Sequence, residues 1–465
     1  MNTNTINCFE ESRLQNKMLP QEWREQDALD ELEEFLQLNW EERSVFFDNG
    51  DMSSRQQYLS FIGAKGIRTN NYIGTIVFRG HQLNIFPKMF REDREDNNTD
   101  GLNIKHLMKN LVQWLQYCKK MDFPFIRIYS EFEDSENLRE LFIRLYIHYV
   151  KRSLEYKPFY QYEEKQEDTS SIKGKINFKD YVNYKLPNGS NHQFQCLFSE
   201  FVFDNTVNRI IKHTCKYLLN ETSSFANKMI IRDILFRLNN VKNQHYVPSD
   251  CDMIRLNKLN RHYSVILSMS KMFLLNQTTM YRLGNQESFC FLFPTELLFE
   301  GFIGGYIKET LSGMANVRLQ ASELSLINDV KYDGISLGKA FRMRHDILVE
   351  HRDLGLFILD TKYKHLSRFE GNTGVKIKNN IMDEISQSDL YQLIEYATQR
   401  DVDSAYLLYP MYRFESEEPK DVVLERKTPQ GKVINIHVVR VPFIFEENED
   451  VTKNNLTKTI NRIFT

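Results

Sequence analysis

The chain has 465 residues, of which 41% are hydrophobic and 13% are aromatic. A single hydrophobic core stops growing at roughly 250–300 residues, so this length and composition exclude a disordered chain and predict two or three folded domains. Lys and Arg total 60 against 63 Asp and Glu, for a formal net charge of -3, so any surface for nucleic acid must be a local basic patch.

The cysteines and the N-terminus indicate a reducing compartment. Six cysteines lie far apart without a CxxC pair or a nearby histidine cluster, which predicts reduced thiols and no zinc site. The opening residues MNTNTINCFEESRLQNK lack the apolar core of a signal peptide. The most apolar stretch, 289–307, is interrupted by Pro294, Glu296 and Glu300, so it is not expected to span a membrane. We expect a soluble, cytoplasmic protein.

Residues 1–100 predict a mainly β N-terminal domain. Leucine and phenylalanine recur at helical spacing among acids within 21–45, which predicts one amphipathic helix. From about residue 56, β-branched and aromatic runs broken by glycines are typical of short strands and turns. The polar segment 91–101 predicts an exposed linker.

The remaining chain predicts a helix-rich middle region, 101–285, followed by a β-rich core flanked by helices, 286–465. Segment 170–201 interrupts the helical pattern with an LPNGSN turn between alternating residues, which predicts an extended or hairpin insertion. In the last region we expect a helix through Glu300, a helix near 388–400 and a strand at 405–410. The fold class is therefore α+β with several domains.

Segment 340–366 carries the most informative pattern. FRMRHDILV alternates, EHRDLG can make a turn at 353–355, and LFILDTKYK follows as a second strand, which together predict a hairpin. Because strand side chains alternate between faces, Asp360 and Lys362 share one side, and hairpin pairing can bring Asp346 beside them. Two carboxylates and an ammonium then converge where the strand leaves the core.

This convergence favours metal-assisted chemistry on a phosphate. Two adjacent carboxylates repel each other unless a cation lies between them, and hard oxygen ligands favour Mg²⁺. A metal there lowers the pKa of bound water, and a neighbouring lysine can position that water or neutralise developing charge, so phosphodiester hydrolysis is predicted. The alternative for the D-x-K triplet alone is a solvated strand edge.

Two further segments accompany the hairpin. Glu300 lies in LLFEGFIGGYI, where the apolar residues are spaced to bury a helix, so an acid there is either exposed or functional. DLYQLIEYA places Gln392 and Tyr396 four residues apart on one helical face. The alternative for this pair is a core tyrosine beside a polar surface residue.

In their order, FEGF, RHD, DTKYK and QLIEY resemble the motifs of PD-(D/E)XK nucleases. In detail they are similar to those of the McrC family, the nuclease subunits of McrBC-type, modification-dependent (type IV) restriction systems. Segments 71–88 and 204–212, with GKINF between them, resemble further family segments, so most of the chain is covered. The resemblance implies that 286–465 is an α/β nuclease domain with a central mixed sheet flanked by helices.

The resemblance also implies roles for individual residues. Asp346, Asp360 and Glu300 are the implied ligands of Mg²⁺, with Mn²⁺ as the alternative, and Lys362 is implied to assist the attacking water. All four belong to the implied catalytic set of a DNA endonuclease.

Gln392 and Tyr396 match a Q-xxx-Y helix that backs the active site in a subset of these nucleases and approaches DNA. The family usually has proline before the first aspartate, where this chain has His345. Proline there does no chemistry, so the metal role of Asp346 stands while the local geometry is open. We expect a partly exposed His345 outside the chemistry, with an extra metal ligand as the alternative.

Basic side chains near the hairpin are candidates for phosphate contacts, and a solvated surface explains most of them equally well. These candidates are Arg342, Arg344, Lys364, Arg368, Lys376 and Lys378. The stretch 369–380 predicts a loop.

The chain lacks a GxxxxGK[ST] phosphate loop, so we do not expect it to hydrolyse nucleoside triphosphate itself. The resemblance implies a hexameric McrB-like AAA+ GTPase that recognises modified, 5-methylcytosine-type DNA, receives the domain at 1–100 and is stimulated by it. Double-stranded DNA is the implied substrate, and because one site cuts one strand, dimerisation of complexes is expected. The alternatives are the restriction subunit of a sequence-specific GTPase-dependent system and a non-catalytic activator of the motor.

Overall fold

The structure is a computed structural model. It describes residues 5–41, 57–91, 99, 102, 104–118, 138–190, 192–282, 289–366, 374–413, 422–429, 431–446 and 448–464. Most of the predicted linker at 91–101, and Arg368 among the basic candidates, lie outside the described residues.

Runs of strands and runs of helices follow one another along the described chain. The strands are β1 Thr5–Phe9, β2 Arg13–Gln15, β3 Leu59–Phe61, β4 Gly66–Thr69, β5 Tyr72–Phe78, β6 His81–Phe86, β7 Gln161–Thr169, β8 Lys175–Ile176, β9 Phe194–Val202, β10 Phe289–Pro294, β11 Ala315–Ala321, β12 Ser325–Ile327, β13 Lys331–Tyr332, β14 Ile335–Ser336, β15 Ala340–Arg342, β16 His345–His351, β17 Gly355–Thr361, β18 Ser404–Pro410, β19 Val422–Lys427 and β20 Val433–Val441. The helices are α1 Gln26–Glu41, α2 Ile104–Tyr117, α3 Leu138–Tyr156, α4 Phe178–Asp180, α5 Thr206–Glu221, α6 Phe225–Arg237, α7 Tyr263–Arg282, α8 Thr295–Thr310, α9 Gly374–Glu384, α10 Gln387–Gln399 and α11 Glu449–Ile463. The predicted α+β class is confirmed.

The chain forms two compact units. The first is built from the described parts of Met1–Glu41, Phe47–Leu138 and Asn285–Thr465, and the second from Arg139–Gly284. The N-terminal and C-terminal thirds of the chain therefore share one unit, whereas the predicted boundaries at 100 and 285 separate them. The assignment of functions to three domains stays a prediction.

The N-terminal sheet of the first unit has the strand order β1-β6-β5-β10. β5 and β6 form a hairpin, β1 runs parallel to β6, and β10 pairs antiparallel with β5. Gly74 in β5 has φ +138°, and a Cβ atom there would lie 2.0 Å from the carbonyl oxygen of Phe291 in β10. Only glycine permits this close pairing, which joins the strand at 289–294 to the N-terminal sheet.

Glu10, which directly follows β1, is fully buried and ties this sheet to the rest of the unit. One carboxylate oxygen accepts hydrogen bonds from the Tyr363 hydroxyl at 2.6 Å and from the Lys88 backbone N–H at 2.9 Å. The other accepts from the Thr295 hydroxyl at 2.7 Å. Burial raises the pKa of Glu10, and these donors together with the Lys88 charge oppose the rise. Three segments distant in sequence are thereby held at one carboxyl group.

Helix α2 belongs to the first unit because its apolar face packs on the C-terminal segment. The Trp114 indole stacks on the Phe443 ring at 4.2 Å between centroids and donates to the Phe443 carbonyl at 2.8 Å. The Asn110 side chain pairs with both the N–H and the carbonyl of Phe445. This helix was predicted within the middle region, and its side-chain contacts lie in the unit that also carries the nuclease-like motifs.

The C-terminal part contains a six-stranded mixed sheet with the order β11-β16-β17-β18-β20-β19. β17, β18 and β20 are parallel neighbours, and the other pairs are antiparallel. Leu393, Tyr396 and Ala397 of α10 pack in one core cluster with Leu348 of β16 and Ile358 of β17. The predicted strands, the helix near 388–400 and the mixed sheet are present.

The second unit is mostly helical, with α3, α5, α6 and α7, and carries the three-stranded sheet β7-β9-β8. The predicted insertion at 170–201 contributes β8 and most of β9 to this sheet, whereas β7 precedes it. The adjoining segment 204–212 makes scaffold contacts: Asn205 caps α5 by accepting from the Asn208 backbone N–H, and Asp204 binds the Arg209 guanidinium at 2.7 Å. The segment that resembles a family segment therefore stabilises the start of α5.

All six cysteines are buried thiols, and none of them forms a disulfide. Among the helices in the described ranges, none has the length and apolarity needed to cross a bilayer.

Helix α8 provides a test of packing. A Cβ atom on Gly305 would lie 1.8 Å from the carbonyl oxygen of Tyr117 in α2, whereas one on Gly304 would meet side chains, with the end of Leu319 nearest at 2.8 Å. We expect Gly305→Ala to lower the free energy of unfolding by at least about 2 kcal/mol, because backbone must move. Gly304→Ala is the matched control, since both changes gain the same helix propensity, about 1 kcal/mol. Equal calorimetric stabilities of the two variants would contradict the close approach.

Candidate active site

The predicted hairpin is formed by β16 and β17. Its register pairs His351 with Gly355 and Ile347 with Leu359, and the turn between the strands ends at Gly355, where φ is +89°. Continued by one residue, this register places Asp346 opposite Asp360. The alternation of side chains and the glycine at the turn explain why the two aspartates converge at one end of the hairpin.

Asp360 is a buried carboxylate, with 2% of its surface exposed. The Nζ atom of Lys362 lies 2.7 Å from its Oδ2 atom, yet neither oxygen accepts a well-oriented hydrogen bond from the described part of the chain. Burial, followed by the negative charge of Asp346, raises the pKa of Asp360 to about 7, and the Lys362 charge opposes that rise. Apart from the Lys362 ammonium, the described residues therefore give this carboxyl group none of the donors that burial normally demands.

Asp346 is fixed by the residue that follows Asp360. Its Oδ2 atom accepts hydrogen bonds from the Thr361 backbone N–H and from the Thr361 hydroxyl, both at 2.8 Å. The two bonds orient the carboxylate across the hairpin. The structure thus brings Asp346, Asp360 and Lys362 together.

Lys362 is mostly buried between acids. Burial lowers its pKa, but the carboxylates of Asp360, Asp346 and Asp389 outweigh that effect, and the net pKa is raised. Its side chain therefore carries a positive charge that can donate hydrogen bonds or attract an anion.

Asp389 is the residue that sequence reasoning missed. Its side chain is nearly buried in the first turn of α10, with Oδ2 2.7 Å from the Lys364 Nζ atom and Oδ1 4.0 Å from the Lys362 Nζ atom. An acid in the first turn of a helix is favoured by the helix dipole, which is the only signal the sequence offered. Its approach to the two lysines depends on how α10 docks on the sheet.

Gln392 and Tyr396 lie on α10 as predicted, and they contact each other. The Gln392 side-chain amide donates to the Tyr396 hydroxyl at 2.8 Å, and that hydroxyl donates to the Arg344 carbonyl at 2.8 Å. Tyr396 is buried, whereas Gln392 is exposed. The pair therefore anchors the chain two residues before Asp346.

The expectation that His345 is partly exposed is wrong. Its side chain has 0% exposure, its Nδ1 atom lies 3.2 Å from the Ala321 carbonyl oxygen, and its ring lies 4.4 Å from the Tyr396 ring. Burial lowers its pKa, which favours the neutral imidazole. His345 fills a packing position against α10, because it enters β16 where α10 covers the sheet.

Glu300 lies on α8 and accepts a hydrogen bond from the Gln320 side-chain amide, whose oxygen accepts from Arg344. Within the described ranges, no three His, Cys, Asp or Glu side chains form a group with the arrangement of a metal site. Glu300 is therefore not gathered into one such cluster with the two aspartates, and its metal role stays a prediction.

The basic candidates differ in their surroundings. Arg342 and Arg344 are exposed on the approach to β16, Lys364 is paired with Asp389, and Lys376 and Lys378 are exposed on α9. The loop predicted at 369–380 is wrong from residue 374, where α9 begins, because apolar residues recur at helical spacing in GVKIKNNIMDE. DNA contact by any of these residues stays a prediction.

The Tyr396 hydroxyl can be tested by removing it. We expect Tyr396→Phe to lower the free energy of unfolding by about 1–3 kcal/mol, because the Arg344 carbonyl would lose its donor in a partly buried position. Tyr391→Phe is the control on the same helix, since Tyr391 is 64% exposed and its hydroxyl accepts a hydrogen bond from the exposed Gln387 side chain. Chemical denaturation measures both, and equal stabilities would refute an anchoring role for Tyr396.

The chain is similar to known proteins in fold and in sequence. In the solved half-complex of the tetradecameric assembly of Thermococcus gammatolerans McrB AAA+ hexamers with bound McrC, one chain matches with a TM-score of 0.63 and 17% identity, covering 99% of this chain and 100% of that chain. A chain in the structure of the Thermococcus gammatolerans McrBC complex matches with a TM-score of 0.47 and 18% identity over 66% of this chain and 88% of that chain. The search of curated proteins gave no match. The family model described as McrBC 5-methylcytosine restriction system component matches residues 67–410, most of the sequence, so this chain belongs to that family.

Proposed function

We propose that this chain is the DNA endonuclease subunit of a modification-dependent restriction complex, with a PD-(D/E)XK-type active site in the β16–β17 hairpin. The observation that carries the proposal is the buried Asp360 carboxylate beside Asp346 and Lys362, with no well-oriented hydrogen-bond donor to its oxygens from the described residues. Membership in a family of restriction-system components supports DNA as the substrate.

The residues present fit a hard divalent cation. Both oxygens of Asp360 lack well-oriented protein donors, and the neighbouring Asp346 supplies a second carboxylate, which is the donor chemistry that Mg²⁺ or Mn²⁺ takes. Asp346 and Asp360 would hold the ion, with Glu300 as a further proposed ligand. When bound, such an ion acidifies water and stabilises charge on a phosphate.

The protein's own groups have separate tasks. The Lys362 ammonium, held 2.7 Å from Asp360, is placed to donate a hydrogen bond to the attacking water or to a phosphate oxygen that gains negative charge. Thr361 keeps the Asp346 carboxylate in its orientation through two hydrogen bonds. Gln392 and Tyr396 fix the entry of β16, so Asp346 reaches the site at a defined position.

The partner is proposed from the relatives. The matched Thermococcus gammatolerans structure is described as McrB AAA+ hexamers with bound McrC, and we infer that this chain binds a hexameric AAA+ protein of that type. The partner would hydrolyse GTP and select modified DNA. One active site per chain cuts one strand, so cleavage of both strands requires two complexes.

The central test is cleavage by the full chain with its AAA+ partner, GTP and Mg²⁺ on methylated and unmethylated plasmids. We expect Asp360→Asn and Lys362→Ala each to reduce cleavage of the methylated plasmid by at least about 100-fold, because each removes charge from the reacting centre. GTP hydrolysis by the partner should stay stimulated.

The matched control is a second aspartate–lysine pair of the same unit, Asp403 and Lys432, whose side chains lie 2.8 Å apart. Asp403→Asn and Lys432→Ala should leave cleavage unchanged. Cleavage that survives both hairpin substitutions would remove the active-site assignment. Stimulation of GTP hydrolysis with no wild-type cleavage on either plasmid would indicate a non-catalytic activator.

Metal binding can be measured without cleavage. We expect saturating Mg²⁺ or Mn²⁺ to raise the melting temperature of the full chain by on the order of 2–4 °C, because an ion that binds only the folded state stabilises it. The rise should be absent from Asp360→Asn and retained in Asp403→Asn. An equal rise in all three proteins would place the ion elsewhere.

A further inference from the structure

Immediately before the hairpin that carries Asp346, the chain forms a two-stranded ribbon, residues 325–342, here called the arm. β12 pairs with β15 and β13 with β14, and both pairs follow one antiparallel register, from Ser325 opposite Arg342 to Tyr332 opposite Ile335. Asp333 and Gly334 make the turn at the tip with φ values of +50° and +77°. Two consecutive residues with positive φ are typical of the tight turn that closes a twisted ribbon.

The arm exposes large apolar side chains at its tip and at its base. At the tip, Tyr332 lies opposite Ile335, and the period of two brings Leu337 to the face of Ile335. Phe341 lies in β15 at the base. The side chains of Tyr332, Phe341, Ile335 and Leu337 are 75%, 72%, 64% and 64% exposed. Large apolar side chains exposed along one short ribbon indicate a binding surface.

Cations accompany these exposed apolar side chains. Lys331, Lys339 and Arg342 are exposed, and none of the three forms an ion pair within the part of the chain that the structure describes. Of the two acids on the arm, Asp329 accepts hydrogen bonds from Ser336 and Gly338 inside the ribbon, and Asp333 lies at the turn. The unpaired positive charges would meet a polyanion on both sides of the ribbon.

The base of the arm is fixed next to the proposed active site. The Met343 backbone N–H donates to the Leu324 carbonyl at 2.9 Å, and both side chains pack on the core cluster beneath α10. β16 begins at His345, so the arm enters the strand that carries Asp346 after two connecting residues. Whatever the arm holds is therefore positioned relative to that aspartate.

A second exposed aromatic sheet on this chain has the opposite electrostatics. In β7 and β9, Tyr162 and Phe201 are 70% and 54% exposed, but β7 has the sequence QYEEKQEDT, with four acids and one lysine, and its lysine is paired with Glu200. Exposed aromatic residues alone therefore do not indicate a DNA-binding surface. The combination of apolar side chains with unpaired cations occurs on the arm.

We propose that the arm is a DNA-binding ribbon that lies in a groove of the duplex beside the scissile phosphate. A groove of B-form DNA admits a two-stranded ribbon, lysine and arginine then meet the phosphates on either wall, and apolar side chains contact sugars and base edges. The arm fixes where the duplex lies relative to Asp346 and Asp360. This role rests on the proposed nuclease function of that site.

The test is binding of a fluorescent duplex to the full chain, measured by anisotropy in EDTA so that no cleavage intervenes. We expect the double variant Tyr332→Ala/Phe341→Ala to raise the Kd at least about tenfold, since both substitutions remove apolar surface that the duplex would cover. The triple variant Lys331→Ala/Lys339→Ala/Arg342→Ala should weaken binding and flatten the dependence of log Kd on log salt by about 0.9 for each phosphate that is no longer neutralised. Tyr332→Phe should retain the wild-type affinity.

The matched control is Tyr162→Ala/Phe201→Ala, which removes two similarly exposed aromatics from the acidic sheet and should leave the Kd unchanged. Unchanged affinity in both arm variants, or a wild-type chain that fails to bind duplex at low salt, would overturn the proposal. If the arm variants instead lose a dimer in sedimentation while each chain keeps its DNA affinity, the arm binds a second copy of this chain and the DNA role is refuted. Cleavage that persists in Asp360→Asn would refute the nuclease site independently, because the anisotropy readout does not involve cleavage.

Discussion

A carboxyl group with no access to water must receive its hydrogen bonds from protein, and this requirement organises the first unit around Glu10. Its donors come from the ends of β6 and β17 and from the start of α8, which lie far apart in the sequence. If β6, β17 or α8 moved relative to the other two, the Glu10 carboxylate would lose one of its hydrogen-bond donors. Tyr363 directly follows Lys362. Its hydrogen bond to Glu10, at the end of β1, therefore helps to fix the position of the lysine in the proposed site.

The proposed site contains more negatively charged than positively charged side chains. Asp346, Asp360 and Asp389 face two ammonium groups, those of Lys362 and Lys364, so one negative charge is left over when all five are ionised. Burial, and after it the negative charge of Asp346, raises the pKa of Asp360. A divalent cation between Asp346 and Asp360 would reverse the sign of the local charge, which suits a phosphodiester as the substrate. On the proposed function, the cations of the arm would extend the same electrostatic preference to a bound duplex.

Local patterns in the sequence predicted the elements that depend on near neighbours. The hairpin was predictable because alternation and the glycine at 355 are properties of adjacent residues, and the Gln392–Tyr396 pair followed from helical spacing. Features set by distant packing were missed: Asp389 approaches the lysines only because α10 docks on the sheet, and His345 is buried by the same helix. The arm could have been found, because an Asp-Gly pair flanked by alternating residues at 331–336 is a strong turn signal. The grouping of both ends of the chain in one unit carries no local signal at all.

The strand order of the N-terminal sheet sets the sequence of events during synthesis on the ribosome. β5 and β6 emerge early, but the strand that completes the sheet, β10, is translated only after the whole of Arg139–Gly284. Domains usually fold in the order in which they are made. Here the second unit, although later in the chain than β5, is complete while the first still has an open edge. The edge of β5 has no partner strand on the nascent chain until β10 has left the exit tunnel. Gly74 and its neighbours in β5 must avoid association with other strands until then.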